Sequence, residues 1–100
     1  MNPHDRIRMG PLESKTNLRK HRVAFHEAAT VLRDSLAITI FDPDHSQEED
    51  RYITVGASVR GRILMVAHTD RENRTRIISA RQLTRAEREA YENEVKRRKG

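Results

Sequence analysis

The stretch YITVGASVRGRILMVA, residues 52–67, decides the fold of this chain. Its first half alternates, so Ile53 and Val55 would point to one side of a strand and their neighbours to the other. Arg60-Gly61 is a turn signal, because glycine tolerates positive φ. The second half is apolar throughout, which is typical of a central strand. The stretch therefore predicts a β-hairpin.

The remaining pattern places helices and further strands around this hairpin. Phe25 and Ala28 begin an apolar helical stripe, and Thr84 with Glu87 fits a capping box at the start of a last helix. In chain order we predict helices over residues 13–21 and 25–32, strands over residues 36–41, 52–58, 63–67 and 76–80, and a helix from residue 84 to about residue 95.

This order predicts an α+β fold with two N-terminal helices, a four-stranded antiparallel meander sheet and a C-terminal helix. The length of 100 residues allows one domain. We expect that domain at residues 13–95, with residues 1–12 as a flexible tail or edge strand and residues 96–100 as a basic tail.

Composition narrows the classes of function. The chain has no cysteine, which excludes disulfides, zinc–thiolate sites and thiol nucleophiles. Its formal net charge of +5 favours an RNA or DNA backbone or an acidic protein as partner, and charge alone does not choose between them. No apolar run is long enough for a membrane span or a signal peptide, so we expect a cytoplasmic protein that makes no membrane contact.

Three blocks carry a resemblance to a known family. They are Asn17-Leu18-Arg19-Lys20-His21-Arg22-Val23 leading into Phe25-His26-Glu27-Ala28, then His45-Ser46 followed by Glu49-Asp50-Arg51, and then Arg76-Ile77-Ile78-Ser79-Ala80-Arg81. Together with Pro11, Gly56, Gly61-Arg62, Thr84, Glu87-Arg88 and Tyr91-Glu92, which extend the pattern over roughly residues 11–92, they resemble the BrnT family of bacterial toxin–antitoxin systems.

The resemblance implies a RelE-like ribonuclease fold and an endoribonuclease that arrests growth. It also implies a BrnA-like antitoxin, which covers the toxin in a hetero-oligomer and carries the contacts to DNA. Metal-free RNA cleavage needs a base, cations that stabilise the phosphorane, and an acid for the leaving oxygen. We therefore predict the catalytic residues Arg76, Arg81, His21 and Glu49, and the RNA- or phosphate-binding residues Lys20, Arg51, Arg62 and Ser79.

Several of these residues also have a structural interpretation. Unless a bend follows Ser79, alternation would put Arg76 and Arg81 on opposite faces of the last strand, so they share a site only if Arg81 lies beyond the strand end. In the structural interpretation, Arg76 is a solvated cation on the sheet face and Arg81 is a helix-cap partner. Glu49 and Arg51 are spaced to form an ion pair along one strand. His68 follows a buried strand and is predicted to be a core or rim histidine.

No cofactor or metal is expected, because the acidic and histidine residues near position 44 have no second cluster to complete a metal site. Four positions depart from the family pattern: Gly10 and Glu13 stand where the family has Asp and Lys, Met9 where it has an aromatic residue, and Ala24 where it has a small hydroxyl residue. The changes at Gly10 and Glu13 keep a second hypothesis open, a catalytically degenerate member that acts as a protein- or nucleic-acid-binding module. A third hypothesis, a nucleic-acid-binding domain unrelated to toxins, rests on charge alone.

Overall fold

A computed structural model describes residues 7–99, so residues 1–6 of the predicted tail and Gly100 lie outside the described residues. The described strands are β1 (Ile7–Met9), β2 (Ile38–Phe41), β3 (Arg51–Ala57), β4 (Ile63–Arg71) and β5 (Arg74–Gln82). The described helices are α1 (Pro11–His21), α2 (Phe25–Val31) and α3 (Arg85–Lys99), and a 3-10 turn spans Pro43–His45.

The prediction of a four-stranded antiparallel meander was wrong. The strands form one five-stranded mixed sheet in the order β1-β5-β4-β3-β2, in which β1 runs parallel to β5. The added strand pairs Ile7 with Thr75 and Met9 with Ile77. Residues 7–9 of the predicted tail or edge strand form this strand, and its parallel pairing could not be predicted because its partner lies far along the chain.

One face of the sheet packs against α2 and forms the core. The buried apolar residues are Val23, Phe25, Ala28, Ala29, Val31, Leu64, Val66, Ile77 and Ala80. The predicted helical stripe is confirmed, since Phe25, Ala28 and Ala29 are all buried. The opposite face of the sheet, called the outer face below, presents the side chains that alternate with these core residues.

Both hairpin turns take left-handed backbone conformations. The predicted turn between β3 and β4 is confirmed, with Gly61 at φ 81° and the amide of Ser58 bonded to the carbonyl of Arg62. Between β4 and β5, Glu72 and Asn73 have φ values of 52° and 65°, as a tight two-residue hairpin turn requires. These two strands are therefore longer than predicted, because their polar ends still pair.

His68 is buried in the core face, as the sequence predicted. Its Nε2 lies 2.7 Å from Thr54 Oγ1 and its Nδ1 lies 2.9 Å from Asp70 Oδ1. Thr54 Oγ1 also lies 2.7 Å from Thr39 Oγ1. Each of these polar side chains has a partner, so the network links β2, β3 and β4 without leaving an unsatisfied group.

Asn17 fixes α1 against the edge of β5, beyond the point where β1 ends. Its Nδ2 donates to the carbonyls of Ala80 and Val23, and its Oδ1 accepts from the amide of Ala80, each at 2.9 Å. One side chain thus replaces the missing neighbouring strand. This attachment places the last turn of α1 beside the outer face of β5.

The capping box at the start of α3 is confirmed. The amide of Thr84 donates to Glu87 Oε1 at 2.9 Å, and the amide of Glu87 donates to Thr84 Oγ1 at 3.2 Å. The helix continues to Lys99, four residues past the predicted end, so the predicted basic tail is helical over residues 96–99. None of the described helices is long and apolar enough to cross a membrane.

Candidate functional site

A β-bulge decides which side chains of β5 share a face. On β4, Ala67 pairs with Ser79 and the next residue, His68, pairs with Ile77, so Ile78 is an extra residue in β5. An extra residue reverses the alternation of a strand. Arg76 on one side of the bulge and Arg81 on the other therefore both point to the outer face. The prediction that they need a strand end between them was wrong.

One cluster on the outer face contains Arg76, Glu49 and Arg51. Arg76 Nη2 lies 2.7 Å from Glu49 Oε1, and both side chains are substantially exposed. Arg51 and Arg76 are the cross-strand partners of Thr69 from either side, so both arginines flank it. The ion pair of Glu49 is thus made across the sheet to Arg76, whereas the sequence suggested Arg51. An anion above Thr69 would meet two guanidinium groups.

Arg8, which lies in the predicted tail or edge strand, joins this cluster. Ile7 and Met9 pack against the core, so Arg8 between them points to the outer face. It is exposed and pairs in register with Arg76 on the neighbouring strand. No sequence signal identified Arg8, because its place depends on the unpredicted pairing of β1 with β5.

A groove between α1 and β5 contains three of the predicted site residues. Lys20 and His21 come from the last turn of α1, and Ser79 comes from β5. The other lining residues are Leu12, Glu13, Thr16, Asn17 and Ile78, and the groove has a volume of about 340 Å³. A helix C-terminus favours cations, and the last turn of α1 is basic. The groove therefore offers a cation, an imidazole and a hydroxyl to one ligand.

Arg81 is held by α3 in a two-point ion pair. Its Nη1 and Nη2 donate to the two carboxylate oxygens of Glu87 at 2.8 and 2.9 Å. The Arg81 guanidinium, together with the amide of Thr84, lowers the pKa of Glu87 to about 2. This arrangement orients the Arg81 fork, and its Nε–H group still points away from Glu87. The predicted role as a helix-cap partner is thus present alongside any role in catalysis.

Arg62 lies away from these groups and is bound to Glu27 of α2. Arg62 Nε donates to Glu27 Oε2 at 2.9 Å and its Nη2 donates to Glu27 Oε1 and to the carbonyl of Arg22. Ser58 Oγ donates to the same carboxylate at 2.7 Å. The hydrogen bonds from Arg62 lower the pKa of Glu27 although burial opposes them. Phosphate binding by Arg62 stays a prediction.

Gly10 and Glu13, two of the departures from the family pattern, contact one another. Gly10 is the N-cap of α1, and the Glu13 carboxylate from the first turn folds over it into the space that a Cβ at position 10 would need. A carboxylate therefore stands beside position 10 even though residue 10 has no side chain. Among residues 7–99 there is no group of three or more His, Cys, Asp or Glu side chains placed to hold a metal ion.

Comparison with known proteins identifies the family. A family model described as "Ribonuclease toxin, BrnT, of type II toxin-antitoxin system" matches residues 12–87. The chain therefore belongs to the BrnT family of type II toxins, as its motifs indicated. Membership in a type II toxin–antitoxin family implies an antitoxin as partner.

A solved structure supports the same fold. The chain is similar to the crystal structure of the Brucella abortus ribonuclease toxin BrnT, with a TM-score of 0.58 and 20% identity. The likeness covers 79% of this chain and 96% of that one. At this identity it shows a shared fold. Comparison with curated proteins finds no match.

Proposed function

We propose that this chain is the toxin of a type II system that cleaves RNA without a bound metal ion and so arrests growth. The observation that carries the proposal is the bulge at Ile78, which puts Arg76, Ser79 and Arg81 on one face. Lys20 and His21 stand at the edge of that face. A face with several arginines beside proton-transfer groups suits a phosphodiester substrate.

The proposed reaction transfers a phosphoryl group within the RNA. Glu49 takes the proton from a 2′-hydroxyl, whose oxygen then attacks the adjacent phosphorus. The bond from phosphorus to the 5′-oxygen breaks, and protonated His21 gives its proton to that oxygen. Arg76 and Arg81 stabilise the added negative charge of the phosphorane. The products are a 2′,3′-cyclic phosphate and a 5′-hydroxyl.

The remaining cations and Ser79 hold the RNA backbone. Arg76 and Arg81 stand opposite Thr69 and Met65, which are four residues apart on β4, or about 13 Å. Extended arginine side chains can meet over one phosphate from backbones this far apart, and the RNA on either side of it lies along β5 and contacts the cations around the cleaved bond. We assign that role to Lys20, Arg51, Ser79 and Arg8.

The proposed partner is a BrnA-like antitoxin that covers this face in a hetero-oligomer and makes the contacts to DNA. A toxin of net charge +5 attracts an acidic antitoxin surface as it attracts RNA. The RNA substrate and the antitoxin are both made in the cytoplasm, and we place the activity there.

A second candidate function is antitoxin binding without catalysis. The observation that favours it is the pair Gly10 and Glu13, which changes both the residue types and the local charge at the start of α1. In that case the outer face would bind a partner or RNA and cut nothing. The two candidates differ in one measurable property, the cleavage of RNA by the purified chain.

The test uses the chain expressed alone and beside the antitoxin encoded by its neighbouring gene. We expect growth arrest that the antitoxin relieves, and cleavage of RNA by the purified toxin in the presence of a chelator. Arg76→Ala should slow cleavage roughly 100-fold or more. It should leave folding nearly unchanged, because its ion pair is exposed. Arg85→Ala is the matched control, since Arg85 is almost fully exposed on α3. Normal growth and intact RNA at high expression would support the second candidate instead.

A further inference from the structure

The two edges of the sheet differ in whether their backbone hydrogen-bonding groups have partners. At the β5 side, β1 covers residues 75–77 and Asn17 then bonds both backbone groups of Ala80. At the other side, β2 is the last strand, and no strand in the described part of the chain pairs with its free edge. An uncovered strand edge is a template for another strand unless charges, proline or a bulge protect it.

The free edge of β2 has none of these protections. Its sequence is Ile-Thr-Ile-Phe, without charge or proline, and it pairs with β3 in continuous register. The amide of Asp42 donates to the carbonyl of Arg51, so in antiparallel alternation Ile40 and Ile38 also bond to β3. The amide and carbonyl groups of Thr39 and Phe41 therefore point outward.

Exposed apolar side chains concentrate at this edge. Leu36 is 42% exposed, Ile40 is 56% exposed and Phe41 is 49% exposed. They are three of the six large apolar residues that are exposed in the described chain, and they fall within six consecutive positions. Ile40 and Phe41 point to opposite faces of the sheet, so a strand added at the edge would cover both.

Charge differs between the two ends of the edge. At the Leu36 end, a small pocket is lined by Leu36, Val95, Arg98 and Lys99, so it joins an apolar floor to basic groups of α3. At the other end, Phe41 is followed by acidic residues, of which Asp44 is exposed. A matching segment therefore carries an acidic residue next to an apolar one at the Leu36 end, and a basic residue at the Phe41 end.

We propose that the free edge of β2 is the docking site for an extended segment of the antitoxin, which adds a sixth strand to the sheet. The proposal rests on the family assignment, which supplies a protein antitoxin, and it goes beyond the RNA-cleaving role. Outward amide and carbonyl groups in strand geometry select a polypeptide backbone, because RNA has no matching ladder of donors and acceptors. The alternating apolar side chains and the charge at each end define the segment.

The test measures binding of the full chain to the purified antitoxin encoded by its neighbouring gene. Phe41→Pro removes an outward amide without removing a bond to β3, and Ile40→Lys places a charge at the edge while leaving the backbone intact. Each should weaken binding about tenfold or more. Val59→Lys is the matched control, because Val59 is 78% exposed on the turn between β3 and β4. Thermal unfolding of each variant identifies any variant that fails to fold. If Phe41→Pro fails to fold, the binding of Ile40→Lys still tests the proposal.

Amide hydrogen exchange supplies the second measurement. In the complex, the amides of Thr39 and Phe41 should become protected while that of Val59 does not. Protection confined to the groove between α1 and β5, or no complex with the unmodified chain, would overturn the proposal. So would a dimer of the chain alone that Ile40→Lys dissociates, or equal protection of Thr39 and Phe41 by an RNA oligonucleotide. Cleavage of RNA by the chain alone is recorded separately, so failure of docking and failure of the toxin activity are distinguishable.

Discussion

Arg76 and Arg81 lie on the same face of β5, although they are an odd number of residues apart. The extra residue Ile78 reverses the alternation between them, while Thr69 and Met65 opposite them on β4 stay in phase. Each arginine is also paired with a carboxylate, Arg76 with Glu49 and Arg81 with Glu87. The Glu49 pair is the more exposed of the two, with Arg76 54% exposed and Arg81 39% exposed.

Glu49→Gln should lower the rate of RNA cleavage about 100-fold, because the amide cannot accept the 2′-hydroxyl proton. The free energy of unfolding should change by less than about 1 kcal/mol, since the pair with Arg76 is exposed. Cleavage rates and urea unfolding of the same preparation check both statements. If the rate stays unchanged, Glu49 is only an ion-pair partner of Arg76.

Glu87→Gln should destabilise the chain by about 1 kcal/mol at neutral pH, a value reduced for the partial exposure of the pair. The pKa of Glu87 is lowered from 4.5 to about 2, so its contribution is complete above pH 4.5 and disappears as the pH falls towards 2. The stability difference between the variant and the wild type should therefore shrink over this range. Urea unfolding at several acidic pH values measures it.

Glu89→Gln provides the control for that series, because Glu89 forms an exposed ion pair with Arg85 on the same helix. It should leave the acid dependence of unfolding close to that of the wild type. If the difference in free energy of unfolding between Glu87→Gln and the wild type stays constant from pH 7 to pH 2, the two-point pair with Arg81 does not contribute to stability.

Glu27→Gln should lower the free energy of unfolding by roughly 3 kcal/mol, because it leaves the largely buried Arg62 without its partner charge. Adding Arg62→Met should recover part of this loss, since the double variant buries no unpaired charge. Urea unfolding of the two single variants and the double variant completes the cycle. Strictly additive losses would mean that Glu27 and Arg62 act independently.

Asn17→Ala should lower the free energy of unfolding by about 2 to 3 kcal/mol, because the backbone groups of Ala80 and the carbonyl of Val23 lose their partner in a buried place. Exchange of the Ala80 amide should accelerate at the same time. Thr16→Ala, one position earlier on an exposed site of α1, serves as the comparison and should be nearly neutral. Equal stability of the two variants would contradict the bridging role of Asn17.

Local signals predicted the parts of the fold that depend on neighbouring residues. The capping box at Thr84 and Glu87, the hairpin turn at Gly61 and the buried stripe from Phe25 each follow from spacing over a few positions. The burial of His68 follows in the same way from its phase with the preceding apolar residues. None of these needs knowledge of which strands are neighbours.

The features that the sequence did not predict all depend on contacts between residues far apart in the chain. The bulge at Ile78 is invisible in an apolar run, because Ile77 and Ile78 look alike until β4 sets the register. Arg8 gains its place only when β1 joins β5. Glu27 lies between the apolar residues of α2 and is buried, and its partner Arg62 lies in the turn between β3 and β4. The sequence therefore supplied candidate residues for the site, while their grouping needed the sheet order.

The parallel pairing of β1 with β5 has a consequence for synthesis on the ribosome. The first strand emerges early, but its partner around Thr75 and the backbone of Ala80 that Asn17 binds appear only when most of the chain has been made. Until then the nascent toxin cannot close its sheet, and its arginines have no common face. The face that carries Arg76 and Arg81 is therefore assembled only at the end of translation, so an antitoxin made beforehand is present when it forms.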